Sequence, residues 1–269
     1  MSHHHREIAG VARHLRGWSP NPPDLRDLSH EQLLGARPFT PSPSFSLRSA
    51  LAGLGIYDQG QEGSCVLNAL CRAERALALK LGVPAPDLAR QFAYYATRVW
   101  IEGADAADDS GCAIRDAAKA AVRFGTCLEP TWPYTAADFA QCPSPRAIKE
   151  ARAHQVLRYG AVRSLYGLQT VIERDRTPLV IGFALPAYMA TDECAKDGVL
   201  PWRPADSVIG GHGLLVEGWE TLPSGLVYLD VANSWGPWGD GGYLHADVRY
   251  FLEGAITDGT VVTREELPG

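Results

Sequence analysis

The sequence predicts an α+β fold of two lobes, helical in the first half and stranded in the second, with a cleft between them. Three observations carry this. Helical patterns fill residues 45 to about 150, strand-like runs dominate the stretch from about 151 to 269, and residues 1 to 44 belong to neither. That leader holds six of the 19 prolines between Pro20 and Pro43, and is expected to be extended or irregular.

The elements follow in order. Apolar residues at 66, 67, 70, 77 and 81 and a stop at Gly82 predict a helix over 66–81. A second is expected over 87–102 after Asp87, and a third over 111–124 with Ser110 as N-cap and Gly125 as C-cap. Beyond them come strand-like runs at 177–183, 212–219 and 225–231, with a helix-like stretch from Leu165 to Arg174. The chain shows no internal repeat and no low-complexity tract.

Composition narrows the function classes. With 46% hydrophobic and 21% charged residues, 269 residues are enough for a sizeable core. A net charge of −6 argues against a nucleic-acid partner. No run approaches the roughly 18 apolar residues that span a membrane, so no membrane partner is expected. The N-terminus lacks a charged-then-apolar signal, which favours the cytoplasm or export by a signal-independent route. Met1 to His5 is either native or a tag remnant, and its three histidines are not read as a metal site. The six cysteines form no Cys-x-x-Cys pair, so no zinc, and no other cofactor, is expected. Free thiols are favoured, with Cys71 packed in the core; Cys127 and Cys142, flanking Trp132-Pro133-Tyr134, are the candidate for a bridge.

Chemistry concentrates in four residues. Gln59 stands six positions before Cys65; His212 follows 147 positions later, in Gly210-Gly211-His212-Gly213; Asn233 opens Asn233-Ser234-Trp235-Gly236. A thiol becomes a nucleophile as the thiolate, which an imidazolium or a helix N-terminus favours, and Cys65 stands immediately before the first predicted helix, at its positive end. His212 can exchange the thiol proton, Asn233 can fix the imidazole tautomer, and Gln59 can aim its amide at an oxyanion beside the Cys65 N–H. Each residue alone has an ordinary explanation as a core thiol, a turn histidine or a turn asparagine. Their order and spacing together do not. Of the histidines after Cys65, His154 lies in a basic helix-like stretch and His245 has no asparagine after it, which leaves His212.

The spacing resembles that of the papain-like cysteine proteases, whose histidine and asparagine lie about 130–150 residues beyond the nucleophile. The resemblance covers roughly Leu47 to Ile256. Thr131-Trp132-Pro133-Tyr134 is similar to the family's Tyr-Pro-Tyr element. The stretch from His212 to Trp219 is similar to its histidine strand, and that from Gly236 to Tyr243 to the segment after its asparagine. There are departures: the familiar Cys-Gly-Ser-Cys-Trp is Glu62-Gly63-Ser64-Cys65-Val66 here, so one disulfide half is a glutamate. No long helical propeptide precedes the matching region, and Gly17 to Asp27 instead looks like the short leader of bacterial members.

The resemblance implies a helical lobe facing an antiparallel β-barrel-like lobe, with an active-site cleft between. It implies a cysteine endopeptidase acting on a peptide or protein through a thioester acyl-enzyme. Cys65 would be nucleophile, His212 general acid/base, Asn233 orienter and Gln59 oxyanion donor. Trp235 would shield the His212–Asn233 bond, and Ser110-Gly111 would offer backbone hydrogen bonds to substrate. Acyl transfer or removal of a peptide-like modifier would use the same machinery; an inactive peptide-binding homologue is the alternative of a different class. The leader, with Trp18 and Phe39 as apolar anchors, is expected either to cover the cleft as a self-inhibitor or to be an extension without function. Subsite specificity is not legible in the sequence.

Overall fold

In the computed structural model, residues 5–8, 11–35, 37–135 and 138–264 are described. The helix Cys65–Lys80 runs through the middle of the molecule, one residue earlier than its periodicity predicts. Nearly every residue from Cys65 to Ala78 is buried. It is therefore a core helix whose far side must also be covered, and the strand Val208–Thr221 packs against it.

The next two helices begin later than predicted, for local reasons. The second runs Arg90–Tyr95 and continues as a π-helix, Ala96–Ile101. Pro84 and Pro86 keep the preceding chain out of helical geometry and Leu88 bridges Leu128, so Asp87 caps nothing. Its carboxylate instead accepts from Tyr57 Oη at 2.6 Å. The third helix spans Ile114–Arg123. Ser110 does not cap it, because Cys112–Ala113 is taken into a two-strand pairing with Trp18–Ser19. Asn21 Oδ1 accepts from the Arg115 N–H of the first turn at 3.0 Å, so the leader satisfies this helix end. Gly125, at φ 73°, ends it as expected.

The second half of the chain builds one mixed, mainly antiparallel sheet. Its order is Arg158–Val162, Ile256–Thr263, Leu179–Pro186, Val208–Thr221, Val227–Ala232, Tyr243–Asp247, then Val199–Leu200 in parallel at the edge. The strand Val208–Thr221 is longer than the predicted 212–219 and sets the register that matters: Phe183 faces His212, and Gly182 faces Gly213. Phe45–Ser46 also pairs with this strand.

The leader is more ordered than its prolines suggest. His5–Ile8 and Val11–His14 form a hairpin, and His30–Leu34 is a short helix with a Ser29/Gln32 capping box. Ile8, Trp18 and Leu33 are buried, whereas Phe39, the other expected anchor, is only half-buried. No bridge joins Cys127 to Cys142: the first is a buried free thiol, the second an exposed one.

Candidate active site

Cys65 is the first residue of the central helix, with Ser64 as N-cap. Its sulfur is fully buried and accepts the Gly213 N–H at 3.1 Å, from the residue that follows His212. His212, on the facing strand, is bound through Nε2 to Asn233 Oδ1 at 2.8 Å. Because Oδ1 only accepts, Nε2 carries the hydrogen and Nδ1 is left for proton exchange. Trp235 stacks on the imidazole at 4.7 Å between centroids and 29° between planes, and His212, Asn233 and Trp235 are all buried. His245 is elsewhere, bound to Asp240 at 3.0 Å.

Gln59 is held at both ends of its amide. Oε1 accepts from Ser234 Oγ at 2.7 Å, and Nε2 donates to the Glu62 carbonyl at 2.7 Å. The side chain is thus turned toward the loop that delivers Cys65, with its nitrogen engaged by that loop. The Gln59 N–H also donates to Ser234 O at 2.9 Å, which fastens the loop to the asparagine segment. Tyr134, from the Trp-Pro-Tyr element, donates to Gln59 O at 2.9 Å and meets Ser64 Oγ at 2.6 Å. Glu62, where the resembled family has a cysteine, is buried and receives Gln91 Nε2 at 3.0 Å; burial pushes its carboxyl up to about 7.

The electrostatics depart from the sequence expectation. The thiol is not lowered by an imidazolium. Burial pushes it up to about 12, against the opposing pull of backbone N–H groups. Burial likewise takes His212 down to about 4, although Asn233 favours its charged form. Both the thiol and the imidazole are therefore neutral, because water is kept from both.

The leader lies over the sulfur. Gly17 lies so close that a methyl group added there would overlap Cys65 Sγ. Around it the leader is extended. The Gly211 N–H donates to Leu15 O at 2.8 Å on one side, and the Cys112 N–H donates to Gly17 O at 3.2 Å on the other. Gly111, at φ 70°, presses against the backbone of Arg16 and Gly17, where any side chain would collide. Of the expected Ser110-Gly111 pair, Gly111 therefore faces the extended segment, while Ser110 Oγ bonds within its own loop at 3.2 Å.

Side chains fix the leader at both ends of this crossing. Arg13 pairs with Asp58 at 2.5 Å and donates to Trp235 O at 3.1 Å. His14 stands 3.8 Å from Asp109, whose carboxylate also accepts the Gly63 N–H at 3.0 Å. The Trp18 indole donates to Asp258 Oδ2 at 3.2 Å. Sequence reasoning singled out Trp18 but missed Arg13, Gly17, Asp109 and Asp258. A Gly-Trp step inside a proline-rich stretch was the one available sign.

No family model matches the chain, and no curated protein matches it. Solved structures do. Xylellain, a cysteine protease from Xylella fastidiosa, is 25% identical with a TM-score of 0.80, covering 93% of this chain and 96% of its own. Digestive procathepsin L 3 of the Tenebrio molitor larval midgut is 23% identical with a TM-score of 0.68, covering 88% of this chain and 74% of its own. The bromelain protease from Ananas comosus, solved with the E64 inhibitor, is 18% identical with a TM-score of 0.63, covering 83% of this chain and 100% of its own.

Proposed function

The chain is a papain-like cysteine peptidase, and on that premise we propose that it cleaves peptide bonds with Cys65, His212, Asn233 and Gln59, under the control of its own leader. The observation that carries this reading is the His212 Nε2–Asn233 Oδ1 bond beneath Trp235, on the residue next to the one that donates to the Cys65 sulfur. In the uncovered enzyme the Cys65 proton passes to His212 Nδ1. The thiolate attacks the scissile carbonyl carbon, and its oxygen becomes an oxyanion held by the Cys65 N–H and Gln59 Nε2. Collapse expels the amine, which takes the proton from His212, and leaves a thioester. Water, giving a proton to His212, then releases the carboxylic acid, and the proton returns to sulfur. Asn233 holds the imidazole in one tautomer throughout.

The leader is a self-inhibitor in this reading. Residues 13–18 occupy the extended path between Gly111–Cys112 and Gly211, and Gly17 leaves no room for a scissile carbonyl at the sulfur. The leader spans residues 1 to about 44 and the peptidase domain the rest. The test compares the full chain with one starting near Ser42 on a small peptide substrate. Occlusion predicts a faster short form, compared under conditions where both forms are folded; equal rates for two folded forms would reject it.

A further inference from the structure

The two donors proposed for the oxyanion sit on one short loop, and that loop is held from behind. The Ser64 carbonyl and the Cys65 N–H belong to one planar peptide unit, so whatever fixes the carbonyl also aims the N–H. The carbonyl accepts the helical N–H groups of Leu67 and Asn68 at 2.9 and 3.0 Å. It also accepts a third bond that a helix start does not require: Asn68 Nδ2 donates to Ser64 O at 2.9 Å, and to Ser64 Oγ at 3.1 Å. Tyr134 holds the other donor's residue, through its bonds to Gln59 O and Ser64 Oγ.

Asn68 and Tyr134 meet in one side chain. Arg90, the first residue of the helix Arg90–Tyr95, is buried. Its guanidinium lies between the Tyr57 and Tyr134 rings, 4.2 and 4.1 Å from their centroids. It donates to Asn68 Oδ1 at 2.8 Å, which turns the Nδ2 side of that amide toward Ser64, and to Asp58 O, next to Gln59, at 3.4 Å. Glu129 stands 3.7 Å away and accepts the Tyr134 N–H at 2.7 Å. Arg90 therefore contributes fixed directions rather than a close ion pair, and its planar fork is what spans two rings and two acceptors.

We infer that Arg90 is a positioning residue for the oxyanion site, acting through Asn68 on the Cys65 N–H and through Tyr134 on the loop of Gln59. The inference rests on the peptidase reading above. Charge gathers on the scissile oxygen only as the thiolate adds to the carbonyl, so a misaimed donor slows turnover and changes substrate binding little. Alkylation of the sulfur by iodoacetamide is different. It displaces iodide from a saturated carbon, places no new charge at the oxyanion position, and reports on the thiol alone.

The experiment folds the protein with its leader. A recognition sequence for a specific protease is placed between Arg37 and Ser44, the purified full chain is cut there, and the leader is removed. Hydrolysis of a quenched peptide and alkylation of Cys65 by iodoacetamide are then measured on the parent, Arg90→Met and Asn68→Asp. Arg90→Met should lower kcat by about 10- to 100-fold, the scale of a misplaced or lost donor, with KM within about threefold of the parent. Asn68→Asp keeps an acceptor for Arg90 but turns the donor on Ser64 O into a second acceptor, so kcat should fall by about tenfold or more in a chain that still folds. Alkylation rates and their pH profile should stay at the parent's values in both. If Arg90→Met fails to fold, Asn68→Asp decides alone. Parental kcat in the folded variants overturns the inference. So does an equal fall in hydrolysis and alkylation, which would make Arg90 a support of the thiol rather than of the oxyanion site. A second arm needs no turnover: a peptide aldehyde adds to the Cys65 sulfur and sets its oxygen against the same donors. Its affinity should weaken by about tenfold or more in both variants, and parental affinity rejects the inference even where hydrolysis is too slow to follow. A cut parent whose Cys65 reacts with neither iodoacetamide nor the aldehyde rejects the peptidase reading instead.

Discussion

Gly17 lies on the sulfur of Cys65, with no space between them for even one methyl group. Burial of both side chains, to which this contact contributes at the sulfur, accounts for the charge state of the two residues. With the thiol pushed up to about 12 and the imidazole brought down to about 4, both groups are neutral near pH 7. In the proposed mechanism, uncovering lets water and the helix N-terminus stabilise an ion pair, and the thiol proton moves to nitrogen. In that mechanism the leader both blocks the cleft and holds the Cys65 thiol in its unreactive form.

Gly17→Ala tests that contact directly. The added methyl overlaps Sγ and meets the Gly63 carbonyl at 3.0 Å, so it should lift the leader from the cleft. Labelling of Cys65 by a thiol reagent in the full chain should rise by roughly tenfold or more, the scale of an overpacked contact. Unchanged labelling in a folded variant would mean that Gly17 is not the barrier.

The pH dependence should differ between the two forms. In the covered chain the thiol ionises only near 12 and His212 protonates only near 4, so labelling should be slow and flat from about pH 5 to 8. In the cut enzyme the thiol pKa should fall below the ordinary value of about 8.5. Activity should then rise as the thiolate forms and fall as His212 loses its proton. A single rise near 8.5, with no falling limb, would remove His212 from the mechanism.

Substitutions should rank by role. Cys65→Ala and His212→Ala should abolish hydrolysis, while Asn233→Ala should leave more activity because it orients rather than reacts. Gln59→Ala should cost about 10²–10³ in kcat with a smaller effect on KM, as for loss of one oxyanion donor. His245→Ala should be neutral, its ring being bound to Asp240. Inactivation by His245→Ala would overturn the assignment of the base.

Glu62 should leave a mark on stability. Its carboxyl is raised from an ordinary 4.5 to about 7 by burial. Between those values the folded chain keeps a proton that the unfolded chain has lost, so stability should fall as pH rises from 4.5 to 7. Glu62→Gln should flatten that decline in urea unfolding measured at pH 5 and pH 8. An identical slope in both proteins would place the titration elsewhere.

Much of the site was legible because its chemistry is tied to short local patterns. Gln59 and Cys65 share one loop, His212 and Asn233 lie 21 positions apart, and the helix after Cys65 declares itself by its apolar spacing. The start of the third helix was misread because its first turn is capped by Asn21, 94 positions away. The leader's path was illegible for the same reason. Its contacts join Arg13 to Asp58 and Trp18 to Asp258. The protonation of the Cys65–His212 pair depends on burial, which that path creates.

Epoxide titration of the full chain before and after cutting the leader between Arg37 and Ser44, with the adduct located by mass spectrometry, tests the central claim most directly. The expected result is little reaction before the cut and one equivalent after it, all on Cys65. An adduct on Cys71 or Cys112, or equal labelling of Cys65 before and after the cut, would contradict it.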